Sequence, residues 1–262
     1  MGQKKFFFGV SLSVIFIFTI LCSSLFAQSV QVLDLSPQKT RDRVYASGSI
    51  MTQPPPSWGK IVGTKDWAEN LTSGEVIFIK LDPGKNVKPG DRFDIGHVKA
   101  SIAHPVTKKW MGYVVVVPAE IVILDTKTDL ATAKIDKSYQ PAFLGDVILS
   151  PRPAPPASMP LRSLKNIEGT ILFSLENSEN ITEKEIVFID RGRRDGIILG
   201  DLFSIYETGF FTKEILKSQE KLPMFKVGEL VVVSVQEETS TALVTRSSQG
   251  IQIGDRVVSG RE

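Results

Sequence analysis

The sequence predicts an all-β protein: two tandem, homologous, small β-barrel-like domains after an N-terminal signal peptide. Three observations lead there. Residues 59–95 align with residues 169–205 at a constant offset of 110 without a gap, and 12 of the 37 pairs are identical. A run this long at one offset marks a duplication. The apolar residues come in short β-branched runs: Val76-Ile77-Phe78-Ile79, Tyr113 to Val117, Ile121 to Leu124, Ile186 to Ile189 and Leu230 to Val233. Gly, Pro, Asp or Lys punctuates them, and short strands with frequent turns build sandwiches and small barrels. Finally, no stripe of 3.6-residue period and helical length stands out after residue 27, although Lys213 to Leu222 has room for one or two helical turns.

Taken along the chain, the first element is the export signal. Lys4 and Lys5 form a positive start, and Phe6 to Leu21 follow without a charge. Ser23, Ser24, Leu25, Phe26 and Ala27 then supply a small-residue exit. This is the order of regions in a secretory signal, with cleavage expected after Ala27. An uncleaved anchor is one alternative. A lipoprotein acylated on Cys22 is another, but Ile20 and Leu21 are too large for the usual site. Cleavage would leave a chain with no cysteine, since Cys22 is the only one. The exported form would then hold itself together by its core alone, which about 235 residues can supply.

Proline divides the rest. Pro54-Pro55-Pro56 and the stretch Pro151, Pro153, Pro155, Pro156 and Pro160 are too proline-rich for central strands. The expected organisation is a signal peptide over 1–27, an extended segment over 28–57, a first β-domain over 58–150, a Pro-rich linker over 151–166 and a second β-domain over 167–262. The identical pairs include Gly59/Gly169, Asn70/Asn180, Glu75/Glu185, Phe78/Phe188 and Phe93/Phe203. Superposition is expected to place Phe78 on Phe188 and Phe93 on Phe203, all facing barrel interiors. The second halves align at offset 109, through Ala133/Ala242, Ser138/Ser247, Gly145/Gly254 and Asp146/Asp255.

Charge and composition exclude several chemistries. Beyond residue 27 the chain carries 29 basic and 29 acidic residues, so it has no global field for nucleic acid. One cysteine cannot form an internal disulfide or a cysteine-based zinc site. The sequence holds no nucleophile-elbow, phosphate-loop or zinc-protease motif, and no cofactor is expected.

Four Gly-Asp steps recur, at Gly90-Asp91, Gly145-Asp146, Gly200-Asp201 and Gly254-Asp255. An apolar residue follows each Asp by two, which is strand alternation starting from a fixed turn. The steps are read as structural turns rather than catalytic or calcium-binding acids. Gly supplies a positive φ, and Asp accepts a hydrogen bond from a backbone N–H two residues on. Loss of Asp91 or Asp201 is expected to cost about 1 kcal/mol each. Asn70-Leu71-Thr72 and Asn180-Ile181-Thr182 fit the glycosylation sequon but occupy equivalent positions, which suits a shared turn. His97 and His104 lack counterparts in the second copy and read as exposed loop histidines. Arg191-Gly192-Arg193-Arg194 lies between Asp190 and Asp195 and reads as a solvated, compensated turn. The second copy has extra length between Ile205 and Gly228, where Phe210, Phe211, Ile215 and Leu216 are a candidate partner loop.

The run Val187 to Gly192, then Asp195-Gly196-Ile197, Gly200 to Phe203, Gly228 to Val233, Thr241 to Val244 and Gly254 to Val257 resembles the C-terminal β-domain of bacterial flagellar assembly protein T. It is also similar to the β-rich region that follows LysM modules in Gram-negative envelope proteins. The first copy fits the latter through Gly59 to Val62, Ala103 to Thr107 and Met111-Gly112-Tyr113. These resemblances imply a non-catalytic cell-envelope protein of the periplasm or outer-membrane periphery. Its two β-modules would act as scaffold or binding units for an envelope protein or peptidoglycan. A membrane contact is expected only through the signal segment if uncleaved. The alternative is a periplasmic enzyme with an unrecognised site.

Overall fold

The computed structural model describes residues 32–35, 37–66, 69–127, 130–162, 166–208 and 223–260. The expected export signal and the residues Phe210, Phe211, Ile215 and Leu216 lie outside them.

The β-branched runs form strands that close into two barrels. The first comprises β3 (Gly59–Thr64), β4 (Val76–Leu81), β5 (Arg92–Ala103), β6 (Trp110–Asp125), β7 (Ala131–Ser138) and β8 (Val147–Leu149). Around the barrel they run β3-β4-β7-β6-β5-β8, and β8 returns to β3. The second comprises β10 (Glu168–Ser174), β11 (Ile186–Ile189), β12 (Leu202–Thr208), β13 (Met224–Val235), β14 (Ser240–Ser247) and β15 (Arg256–Ser259). It runs β10-β11-β14-β13-β12-β15 and closes in the same way, so the two topologies are identical.

The duplication extends to the irregularities. Register shifts at Ile61/Gly63, Ile95/His97, Glu120/Ile121 and Ile123/Asp125 recur at Ile171/Phe173, Ile205/Tyr206, Glu229/Leu230 and Val232/Ser234. Bulges bend a strand and raise its twist, which is how a short sheet curls far enough to meet its other edge. Both interiors are filled by equivalent side chains: Ile61, Ile77, Ile79, Phe93, Ile95 and Ile148 in one, Ile171, Val187, Ile189, Phe203, Ile205 and Val257 in the other.

Phe93 and Phe203 therefore face interiors, as expected. Phe78 and Phe188 do not. Ile77 and Ile79 point inward, as do Val187 and Ile189, and strand alternation sends the phenylalanine between each pair outward. A continuous apolar run does not reveal its own parity. Phe188 is nonetheless fully buried, because the outer part of the β5–β6 hairpin lies on the second barrel. There Ile50, Ile102, Val114 and Val116 pack against Leu172 and Phe188.

The stretches outside the barrels also depart from expectation. The segment expected to be extended contains α1 (Gln38–Ala46), between β1 (Val32–Asp34) and β2 (Ser49–Met51). Within the Pro-rich stretch, β9 (Ser158–Pro160) pairs with β1. A nine-residue helix is marginal by itself in water, and packing is what stabilises it. Leu35, Val44 and Met159 pack on Ile186, Val231, Val233 and Leu243, the outer face of the second barrel. Gly48 then turns the chain at φ +71°, so close to β6 that a Cβ would lie 1.7 Å from the Val115 carbonyl oxygen. Only glycine fits there. Beyond it, β2 pairs with β6 on the first barrel's hairpin. Among the described residues no helix is long and apolar enough to cross a membrane.

Candidate functional site

The four Gly-Asp steps share one geometry. Each glycine has a positive φ, between +86° and +104°. Each Asp N–H donates to the carbonyl three residues earlier. Each Asp Oδ2 accepts the N–H of that same residue, from Lys88, Phe143, Ile198 and Gln252 in turn, all at 2.8 Å. The carboxylate thus reaches backwards across the turn, not two residues forward as expected. The reason is the apolar strand that follows each Asp, whose N–H groups are already committed to barrel pairing. A second latch repeats as well. Glu75 and Glu185 accept the N–H groups of Thr72 and Thr182, which places both sequon-like triplets in matching turns.

Three of these acids have further surroundings. Asp146 Oδ1 is 2.7 Å from His97 Nδ1. Asp201, fully buried, accepts Arg162 Nε at 2.6 Å. Burial raises Asp255 above the ordinary carboxylate range, while the Gln252 N–H acts in the opposite direction.

His104 is not an exposed loop residue. It sits at the turn of the β5–β6 hairpin, buried against the second barrel. Its Nδ1 accepts the N–H groups of Val106 and Thr107 at 3.1 and 3.2 Å. With Nδ1 accepting, the neutral ring carries its proton on Nε2, which faces Asp190 Oδ2 at 3.2 Å. Asp190 also accepts Thr170 N–H and Arg191 Nη1. Both ring nitrogens are engaged, which leaves none to take a proton from a substrate. His97, by contrast, is half-exposed on β5.

Beside this joint lie two adjoining clefts of about 450 and 330 Å³ that share Met111, Arg194 and Glu238. β2 and Pro54 bound one of them and His104 and Asp190 the other. The Arg-rich turn on their rim is compensated, but of its three arginines only Arg191 uses the flanking Asp190 and Asp195 that the sequence suggested. Arg193 pairs with Glu237 at 2.5 Å, Arg194 with Glu238 at 2.7 Å and Arg191 with Asp190 at 2.8 Å. Between these paired charges the walls carry Ile50, Met51, Pro54, Pro56 and Met111. Among the described residues no three His, Cys, Asp or Glu side chains stand close enough to hold a metal ion.

Sequence reasoning missed a polar network on the first barrel. Tyr45 donates its hydroxyl to Asp94 at 2.8 Å, and Arg152 Nε lies 3.7 Å from the same carboxylate. Asp94 is an outward residue between inward Phe93 and Ile95, and α1 covers it. Its only sequence signal is an acid inside an apolar strand. Burial raises the Asp94 carboxyl, with the Tyr45 hydrogen bond and Arg152 pulling back. Burial and Asp94 together push the Tyr45 hydroxyl up. With a folded value above the unfolded one, the folded protein takes up the Asp94 proton first. The resulting stability is complete below the unfolded value and is lost as pH rises through the folded value. Urea midpoints of wild type and Asp94→Asn, compared across that acidic window, should therefore separate in favour of wild type as pH falls. The opposite trend would mean that Arg152 outweighs burial.

Residues 184–259 match the model of a family described as flagellar assembly protein T, C-terminal domain. The matched span takes in β11 to β15 of the second barrel and under a third of the chain. No curated protein matches the chain.

Proposed function

We propose that this is an exported, non-catalytic cell-envelope protein related to flagellar assembly, whose two β-modules serve as binding or scaffold units for a protein partner. The family match on the second barrel is the observation that carries this reading. The side chains support it. The Gly-Asp carboxylates are used to close turns, and His104 is used to hold one barrel against the other. A barrel whose polar groups are spent on its own backbone offers shape and surface, the properties a scaffold needs. The identity of the first barrel's topology with the second extends the argument to both modules.

Two measurements test the proposal together. Fractionation of cells carrying the C-terminally tagged protein should place it in the periplasm or envelope, with a mature N-terminus near Gln28. Crosslinking in those cells should trap a protein partner, and purified protein should not sediment with isolated peptidoglycan. A cytoplasmic location would overturn export. Saturable sedimentation with peptidoglycan, with no crosslinked protein, would replace the protein partner by the cell wall.

A further inference from the structure

The joint between the two barrels has a donor and an acceptor. The donor is the β5–β6 hairpin of the first copy, whose Val116 is 1% exposed against the second barrel. The acceptor is the outer face of β10 and β11, with Leu172 at 3% exposure and Phe188 fully buried. Because the chain is a duplication, each half of this joint has an equivalent in the other copy. The donor equivalent is the β12–β13 hairpin, where Phe225 stands opposite Glu207 as Val116 stands opposite His97. The acceptor equivalent is the outer face of β3 and β4, where Val62 replaces Leu172 and Phe78 replaces Phe188. Both equivalents are uncovered: Phe225 is 57% exposed and Val62 47%, and Phe78 is only half-buried.

We propose that this protein self-associates head to tail, the β12–β13 hairpin of one copy seating Phe225 on the Val62–Phe78 face of the next. The contact would repeat between chains the joint that already exists within one. Three further observations fit a second copy as the occupant. The first is volume. Inside the chain a small donor side chain, Val116, meets an acceptor enlarged by Phe173, which lies 6.2 Å from the Phe188 ring. Between chains a large donor, Phe225, would meet an acceptor where Gly63 stands in place of Phe173. A Cβ added at Gly63 would already touch the Phe78 ring at 3.4 Å, so the space beyond is set by that ring alone. Aromatic insertion beside a glycine recovers the packing that a Val–Phe pair supplies inside the chain.

The second is charge. Lys60 and Lys80 are exposed and directly opposite each other on the acceptor face. Glu207 lies beside Phe225 on the donor. The third is the rim: Lys80 stands where Asp190 receives His104 in the internal joint, so the outer acceptor carries the opposite charge to the inner one and the inner donor would not suit it. A donor and an acceptor on different surfaces of one molecule make a heterologous contact, which grows into a closed ring or an open filament rather than stopping at a dimer.

Sedimentation velocity tests this on the full exported protein. The wild type should show a mass that rises with concentration beyond a dimer. Phe225→Asp, which removes the donor, and Val62→Asp, which removes the acceptor, should each be monomeric. An equimolar mixture of the two retains one good donor and one good acceptor, and should form a dimer that grows no further. Circular dichroism melts of both variants, and the milder Phe225→Ser and Val62→Ser, check that folding is kept. A monomeric wild type would overturn the proposal. So would variants that still assemble, or a mixture that stays monomeric.

Discussion

Phe188→Ala is expected to lower unfolding stability by about 3–5 kcal/mol. Its copy-1 equivalent, Phe78→Ala, should cost about 1 kcal/mol. The two residues are identical in type, in strand position and in outward direction. They differ in what lies over them. Phe188 is fully buried among Ile50, Ile102, Val114, Val116 and Leu172, and removing its ring leaves a cavity walled by both barrels and β2. Phe78 is half-buried, so truncation removes some contact and encloses nothing. Urea unfolding of the two variants measures the contrast. Equal losses would mean that the joint between the barrels contributes little.

Asp201→Ala should cost about 2–3 kcal/mol, and Asp91→Ala about 1 kcal/mol. Sequence reasoning gave the two equal weight, because both follow a glycine in aligned turns. Asp91 does only that task, accepting the Lys88 N–H at a partly exposed position. Asp201 is fully buried and also accepts Arg162, while the backbones of Arg162 and Asp201 form an isolated parallel bridge. Its loss leaves the Ile198 N–H and Arg162 Nε without their acceptor and removes the side-chain half of the tie between Arg162 and the second barrel, whose backbone half stays. Arg162→Ala should cost less, because Arg162 is itself nearly half-exposed. A double-mutant cycle on this pair should show coupling, and its absence would assign the whole Asp201 effect to the turn.

Most of the barrel architecture was legible in the chain because duplication prints it twice. Interior pairs such as Ile61/Ile171 and Phe93/Phe203, and turns such as Gly90-Asp91 and Gly200-Asp201, align without a structure. Parity was not legible at Phe78 and Phe188, where four apolar residues in a row fit either face. Nor was α1, whose Gln38 to Asp42 are polar and whose packing depends on strands far along the chain. The joint was hidden for the same reason. His104 reads as a loop residue until Asp190, in the other copy, is brought beside it. The candidate loop at Phe210 and Phe211 lies outside the described residues, but Phe225, on the strand that follows it, is an exposed aromatic.

The seat of α1 also sets a timetable for folding. Val44 packs on Ile186, Val231, Val233 and Leu243, and Gly48 accepts the Thr241 hydroxyl from 193 residues away. Arg43 pairs with Glu176 on the same side. The ribosome makes this helix early and its resting place late. Until β13 and β14 exist, the nascent chain must carry Leu35 and Val44 uncovered, and contacts this distant in sequence form slowly. The first barrel can close meanwhile, since all six of its strands precede residue 150. Docking of α1 therefore waits on the outer face of the second barrel, and a chain without β13 and β14 leaves Leu35 and Val44 with no apolar surface to cover them.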